Sequence, residues 1–371
     1  MSRKKTNAIR VLGCLAAYAS AFGQDINHAA WTSILDHYLT PQSRVDYEKL
    51  KVEATGSLDS YLDEIARPWP ESMDRDATKA ALINAYNALT VRWIVSNFPV
   101  KSIWRTKGPF RVARHRVDGK AESLDSIETR LRNMGDPRIH GALVCAARSC
   151  PPLRREAYTK AAINDQLDDN VRAWLGDSAR NQFVPGRRLA KVSKIFQWYA
   201  ADFSKSGSVP VFLEKYAPPG SYDASNKLEY LGYNWGLNDS GSVGASYSTL
   251  EFYIDYVRNG YLRSDVQGWI VGLGAQYGVN PVIFGVVYLG AIPFFSLSIA
   301  WLVSNLRRGR SVVAPLLSSG FFFVSAYLYL LIAGKNIPAW VYFFVIGMLG
   351  LGAWSTVRKV RTRLASGRQS A

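Results

Sequence analysis

Cysteine, histidine and methionine are scarce in this 371-residue chain, at three, four and four residues. Three cysteines exclude a fold built on disulfides. Cys14 falls in an N-terminal apolar segment, so the remainder of the chain keeps only Cys145 and Cys150. The histidines, His28, His37, His115 and His140, include no two at metal-ligand spacing, and no metal or cofactor is expected. A phosphate-cradling Gly-rich loop and a dinucleotide fingerprint are both missing. Acidic residues are absent from 1–24 and from 271–371, although the whole chain carries 29 of them and a net charge of +16. Those two segments hold Arg3, Lys4, Lys5 and Arg10, then Arg307, Arg308, Arg310, Lys335, Arg358, Lys359, Arg361, Arg363 and Arg368, which leaves the rest nearly balanced. The basic excess therefore sits beside apolar segments, where it sets membrane orientation, and no nucleic-acid partner is expected.

Residues 1–24 join a basic start to the apolar run Val11 to Phe22, with Ala19-Ser20-Ala21 as a small-residue cleavage site, the pattern of a signal peptide. Near the other end three apolar stretches, about 281–304, 312–333 and 337–357, each approach the roughly 20 residues a bilayer requires. With the preceding domain outside, Arg307-Arg308-Gly309-Arg310 and the tail Arg358 to Arg368 fall inside, as positive loops should. The expected setting is a bacterial inner membrane, with a periplasmic domain and a cytoplasmic C-terminus. The lipid bilayer is then a partner through the three C-terminal helices. No acidic or basic residue interrupts these stretches, so they read as an anchor rather than an ion pathway.

Between the ends, helix and strand patterns alternate irregularly, which predicts an exported α+β globular domain at 25–240 followed by a three-helix transmembrane region. Trp31, Ile34, Leu35 and Tyr38 recur at helical spacing. Asp76 is a candidate N-cap for a helix from Ala77 to about Asn97 in which Asn84 and Asn87 share one face. Asp118-Gly119 inside 110–122 predicts a tight hairpin, and Ser123 can cap the helix after it. Ile163, Leu167, Val171, Trp174 and Leu175 mark another helix, Arg187 to Val192 a short strand, and Lys194 to Phe203 a helix. Residues 241–275 read as a flexible Ser/Gly linker and an amphipathic juxtamembrane helix, ahead of a membrane region at 276–371.

The most chemically loaded stretch is 139–153. Its apolar run Ile139 to Ala147 predicts a buried strand, and Ser149-Cys150-Pro151-Pro152 a stop and a new helix with Pro151 at its first position. A thiol at Cys150 would then feel a helix N-terminus, which favours thiolate. In a regular strand His140 and Cys145 point to opposite faces, so Cys150 is the better nucleophile. Three readings stay open: buried structural thiols, a Cys150/His140 catalytic pair, and a Cys145–Cys150 disulfide.

Trp31, Val45-Asp46-Tyr47, Asn84-Ala85-Tyr86-Asn87, Ser123-Leu124 with Ile127-Glu128, His140 to Leu153, Phe196 to Phe203, and Leu231-Gly232-Tyr233-Asn234-Trp235 with Leu237-Asn238 together resemble domain-of-unknown-function family 547 over about 30–240. The resemblance implies one domain there and no assigned reaction. Two functions are carried forward. One is a thiol-dependent hydrolase or acyl transferase, with Cys150 as nucleophile, His140 as base, and Asn84 or Asn87 orienting the base or holding an oxyanion. The other is a non-catalytic module that binds an envelope protein or cell-wall component at the membrane.

Overall fold

The computed structural model describes residues 26–335 and 337–347, together with positions 350, 352 and 354. The expected signal segment 1–24 and the basic tail Arg358 to Arg368 lie outside the described residues. The chain divides into two compact units at Asn259/Gly260.

The first unit is a helix-rich α+β fold. Its centre is the helix Arg75–Asn97, whose alanines and aliphatic residues are buried almost all round. Asp74 rather than Asp76 caps it, accepting the Ala77 N–H at 2.9 Å, because the chain turns helical at Arg75, two residues before Ala77. Small side chains such as Ala80, Ala81, Ala85 and Ala88 let neighbours approach closely, and helices Tyr47–Glu53, Thr55–Ala66, Leu124–Asn133 and Ile163–Gly176 pack around it. The hairpin forms as its turn residues dictate: β1 (His115–Val117) pairs antiparallel with β2 (Lys120–Glu122), and both Asp118 (φ 54°) and Gly119 (φ 72°) take the positive φ of a type I′ turn. Ser123 caps the next helix in a reciprocal capping box with Ser126.

The helix Ile163–Gly176 buries its predicted stripe, with Trp174 stacked on Phe196 at 4.8 Å. The expected helix 194–203 is instead two short helices, Ile195–Trp198 and Ala200–Ser204, broken at Tyr199. Beside them a three-stranded sheet runs in the order β3 (Gln182–Val184), β4 (Leu189–Val192), β5 (Lys227–Tyr230). The β3–β4 pairing is antiparallel and the β4–β5 pairing parallel.

The stretch 139–153 departs from its sequence pattern. Pro137–Gly141 is a 3₁₀ turn, the rest is irregular, and no helix follows Pro151 until Ile163. Consecutive prolines at 151 and 152 hold the chain extended, and side-chain amides take the backbone groups that a strand would have paired. The expected linker is also folded. Asp239 is buried and accepts the N–H groups of Val243 and Gly244, so the first unit runs on to Asn259. The expected juxtamembrane helix is two helices, Thr249–Arg258 and Tyr261–Tyr277, parted by Gly260 at φ 75°. Phe252 and Tyr256 pack on Trp104 within the first unit.

The second unit holds two helices long and apolar enough to cross a membrane, Pro281–Arg307 and Val313–Ala333. At 27 and 21 residues they extend about 40 and 31 Å, against a hydrocarbon core of about 30 Å. They pair along their length, with Phe294 stacked on Phe322 and a 2.7 Å bond between the Ser298 and Ser318 hydroxyls. Of the three expected spans, the one at 337–357 is helical over 339–347 and falls partly outside the described residues, so two candidate spans stand.

Candidate functional site

Four side-chain amides fix the loop that carries both thiols. Asn87 donates to the Ala142 carbonyl at 2.9 Å and accepts the Val144 N–H at 2.9 Å. One turn earlier, Asn84 does the same to Tyr158, donating at 2.8 Å and accepting at 2.9 Å. Asn170 donates to the carbonyls of Gly141 and Pro152, and Gln166 holds the Ala157 carbonyl and the Thr159 N–H. Both buried amides of the Asn-Ala-Tyr-Asn sequence thus pair with backbone through nitrogen and oxygen alike, which turns a polar face of an apolar helix into a clamp.

A second segment closes over the loop. The N–H groups of Arg148 and Ser149 donate to the carbonyls of Gly236 and Asn234, and the Asn238 N–H donates to Ala146. Ala147 and Leu237 bridge antiparallel. This pairing sets Tyr233 against both thiols: its hydroxyl is 3.4 Å from Cys150 Sγ and 3.6 Å from Cys145 Sγ.

Cys150, only 1% exposed, has its sulfur surrounded by donors. The Cys145 N–H lies 3.1 Å away and the Cys145 thiol 2.7 Å away. The nearby Ala147 N–H also favours the thiolate, less than the Cys145 thiol and the Tyr233 hydroxyl do. Between Cys145 and Ala147, Ala146 takes φ 60°, a left-handed conformation that turns flanking N–H groups toward one side of the chain. For a residue with a Cβ that conformation costs about 1–2 kcal/mol. Burial pushes the Cys150 thiol up, but the Cys145 thiol, the Tyr233 hydroxyl and the two N–H groups outweigh it and bring it down to about 7. Cys145 moves the other way, well up, because its thiol donates to Cys150 and is itself desolvated. No helix begins at Pro151, and the stabilisation expected of a helix N-terminus comes first from the Cys145 thiol and the Tyr233 hydroxyl and then from backbone N–H groups. Arg180 donates to the Cys150 carbonyl at 2.6 Å and fixes the residue from the far side.

His140 is buried, with Nε2 3.0 Å from Asp202 Oδ2. Asp202 also accepts from Arg132 at 2.6 Å and from Lys205 at 3.4 Å. Burial pulls the imidazole down to about 4 against the pull of Asp202, so it is neutral at pH 7. Asp202 assigns the proton to Nε2 and leaves Nδ1 as the basic nitrogen. The ring packs on Tyr199 at 4.2 Å. Among the described residues no hydrogen bond joins His140 to Cys150.

Cys145, Cys150 and Tyr233 therefore meet directly, His140 meets Asp202, Asn87 holds the backbone between at 142 and 144, and Asn84 holds it beyond Cys150 at Tyr158. Asp202 and Tyr233 are 62 residues from His140 and 83 from Cys150, and their only sequence signal is a place in the Phe196–Phe203 and Leu231–Trp235 elements. Among the described residues no three His, Cys, Asp or Glu side chains are grouped to hold a metal ion.

Residues 70–175, which include the central helix, the hairpin, the thiol loop and His140, match the family described as "Protein of unknown function, DUF547". No curated protein matches the chain, and no solved structure does.

Proposed function

We propose that this chain is a membrane-anchored, exported thiol enzyme that transfers or hydrolyses an acyl group, with Cys150 as nucleophile. The observation that carries this reading is the convergence of the Cys145 N–H, the Tyr233 hydroxyl and the Cys145 thiol on one sulfur. Such a thiolate needs no base in contact with it. Cys150 Sγ attacks the acyl carbon, the S–C bond forms, and the leaving group departs. His140 Nδ1 then takes a proton from the water or hydroxyl that attacks the thioester, while Asp202 holds the ring and stabilises the imidazolium. Asn84 and Asn87 act as positioning residues through the loop backbone. The signal pattern at 1–24 and the basic residues at 307–310 and 358–368 support a bacterial inner-membrane protein with this domain in the periplasm and a cytoplasmic C-terminus.

The test is intact-mass and peptide mass spectrometry of the full chain in detergent after exposure to a chromogenic acetyl ester. An acetyl group on Cys150, absent from Cys150→Ser and longer-lived in His140→Ala, is the expected result. No acetylation of Cys150 while the fold is intact overturns the reading.

A second reading rests on the aromatics beside the thiols. Trp198, 45% exposed, stacks at 5.7 Å and 20° on Trp235, and both touch Tyr233. A binding module would present this surface to an envelope protein or cell-wall component. It predicts that Trp198→Ala abolishes function in the cell while Cys150→Ser leaves it intact.

A further inference from the structure

Cys145 has no step in acyl transfer, yet its thiol is in contact with the nucleophile. Both thiols are free, and their sulfurs are 2.7 Å apart, about 0.65 Å beyond the bonded distance of about 2.05 Å. They share the Tyr233 hydroxyl, and Cys145 is the less buried of the two. The backbone on either side is held, by Asn87 at 142 and 144, by Asn238 at 146, by Asn170 at 152 and by Arg180 at the Cys150 carbonyl. An approach of about 0.65 Å brings the sulfurs to bonding distance.

We propose that Cys150 and Cys145 form a dithiol–disulfide couple that exchanges with disulfide substrates, Cys150 attacking and Cys145 resolving. Cys150 thiolate attacks one sulfur of a substrate disulfide R–S–S–R, forming a mixed disulfide and releasing R–S⁻. The Cys145 thiol passes its proton to that R–S⁻ and attacks Cys150 Sγ, forming the Cys145–Cys150 bond and releasing the second R–S⁻, which takes up the proton that Cys150 lost on ionising. The chain loses two electrons and two protons, and the substrate becomes two thiols. The ring spans only residues 145–150, so closing it gains little loop entropy, and the donors around Cys150 favour the reduced form. Both factors make the disulfide easily reduced again, as a turnover couple requires.

The proposal rests on the same Cys150 thiolate as the acyl-transfer reading, but not on the acyl step. The test treats the full chain in detergent with an aromatic disulfide reagent at pH 7. It counts the thiols released and assigns adducts by peptide mass spectrometry, which separates Cys14 from the pair. Wild type should release two equivalents from this pair, end as the Cys145–Cys150 disulfide without retained reagent, and return to dithiol with glutathione. Cys145→Ser should release one equivalent and keep the reagent on Cys150, and Cys150→Ser should react at least about tenfold more slowly at Cys145. If wild type keeps the reagent on Cys150 beside a free Cys145, the couple is refuted and the nucleophile stands. If Cys150 is inert in both wild type and Cys145→Ser, both proposals fall.

Discussion

Replacing Tyr233 by Phe removes one donor from Cys150 and leaves the ring in place. The hydroxyl sits 3.4 Å from the sulfur, and a hydrogen bond to a charged acceptor is worth about 1.5–3 kcal/mol. At 1.36 kcal/mol per unit, its loss raises the thiol by about 1–2 units from its value near 7. The thiolate fraction at pH 7 then falls from about one half to about 1–10%, and alkylation by iodoacetamide slows about 5- to 50-fold. Above both pKa values the two proteins should react alike, which separates an electrostatic effect from damage to the site. The assay is the alkylation rate of Cys150 across pH, read by peptide mass spectrometry. An inflection that stays near 7 in Tyr233→Phe refutes the donor cradle.

Other sites give independent checks. Asn87→Ala strands the Ala142 carbonyl and the Val144 N–H in the interior, and thermal unfolding of the detergent-solubilised chain should show a loss of about 2–4 kcal/mol. For Asp136, burial raises the carboxyl, but Arg138 and Lys79 together outweigh it and hold the group down to about 2. An unfolded Asp titrates near about 3.9, so this stabilisation is complete above that pH and is lost as pH falls through about 2. Asp136→Asn should flatten that acid dependence and cost about 3 kcal/mol at pH 7, because Lys79 is 5% exposed and loses its 3.0 Å partner. Asp202→Asn frees the imidazole to take the other tautomer, and hydrolysis of an acetyl-Cys150 should slow about 100-fold while its formation is unchanged. In wild type, acylation should rise with pH through about 7, and deacylation should fall only as pH drops through about 4, where Nδ1 becomes protonated.

Elements set by contiguous residues were legible in the sequence. Asp118-Gly119 allows few alternatives to its hairpin turn, and the stripe from Ile163 to Leu175 has one face to bury. The loop 139–153 was not legible, because an apolar run reads as a strand only if a neighbouring strand satisfies its backbone. Here Asn87 and Asn170, from two different helices, do so instead. The parity that set Cys145 apart from His140 lapses with the strand. Cys150 stands out in the sequence as a candidate thiol, and the donors around its sulfur do not. A helix N-terminus can be guessed from Pro151, whereas a left-handed Ala146 and a tyrosine 83 residues away cannot. The Ser/Gly stretch at 239–248 reads as a linker by composition, but Asp239 folds it down through bonds that composition does not encode.

The most direct measurement is the ultraviolet thiolate absorbance of the full chain against pH, taken as wild type minus Cys150→Ser. The donor cradle predicts a step for one thiolate near pH 7, well below the usual cysteine value of about 8.5. A step at or above about 8.5 would mean that Cys150 is an ordinary buried thiol, and the case for it as nucleophile would be lost.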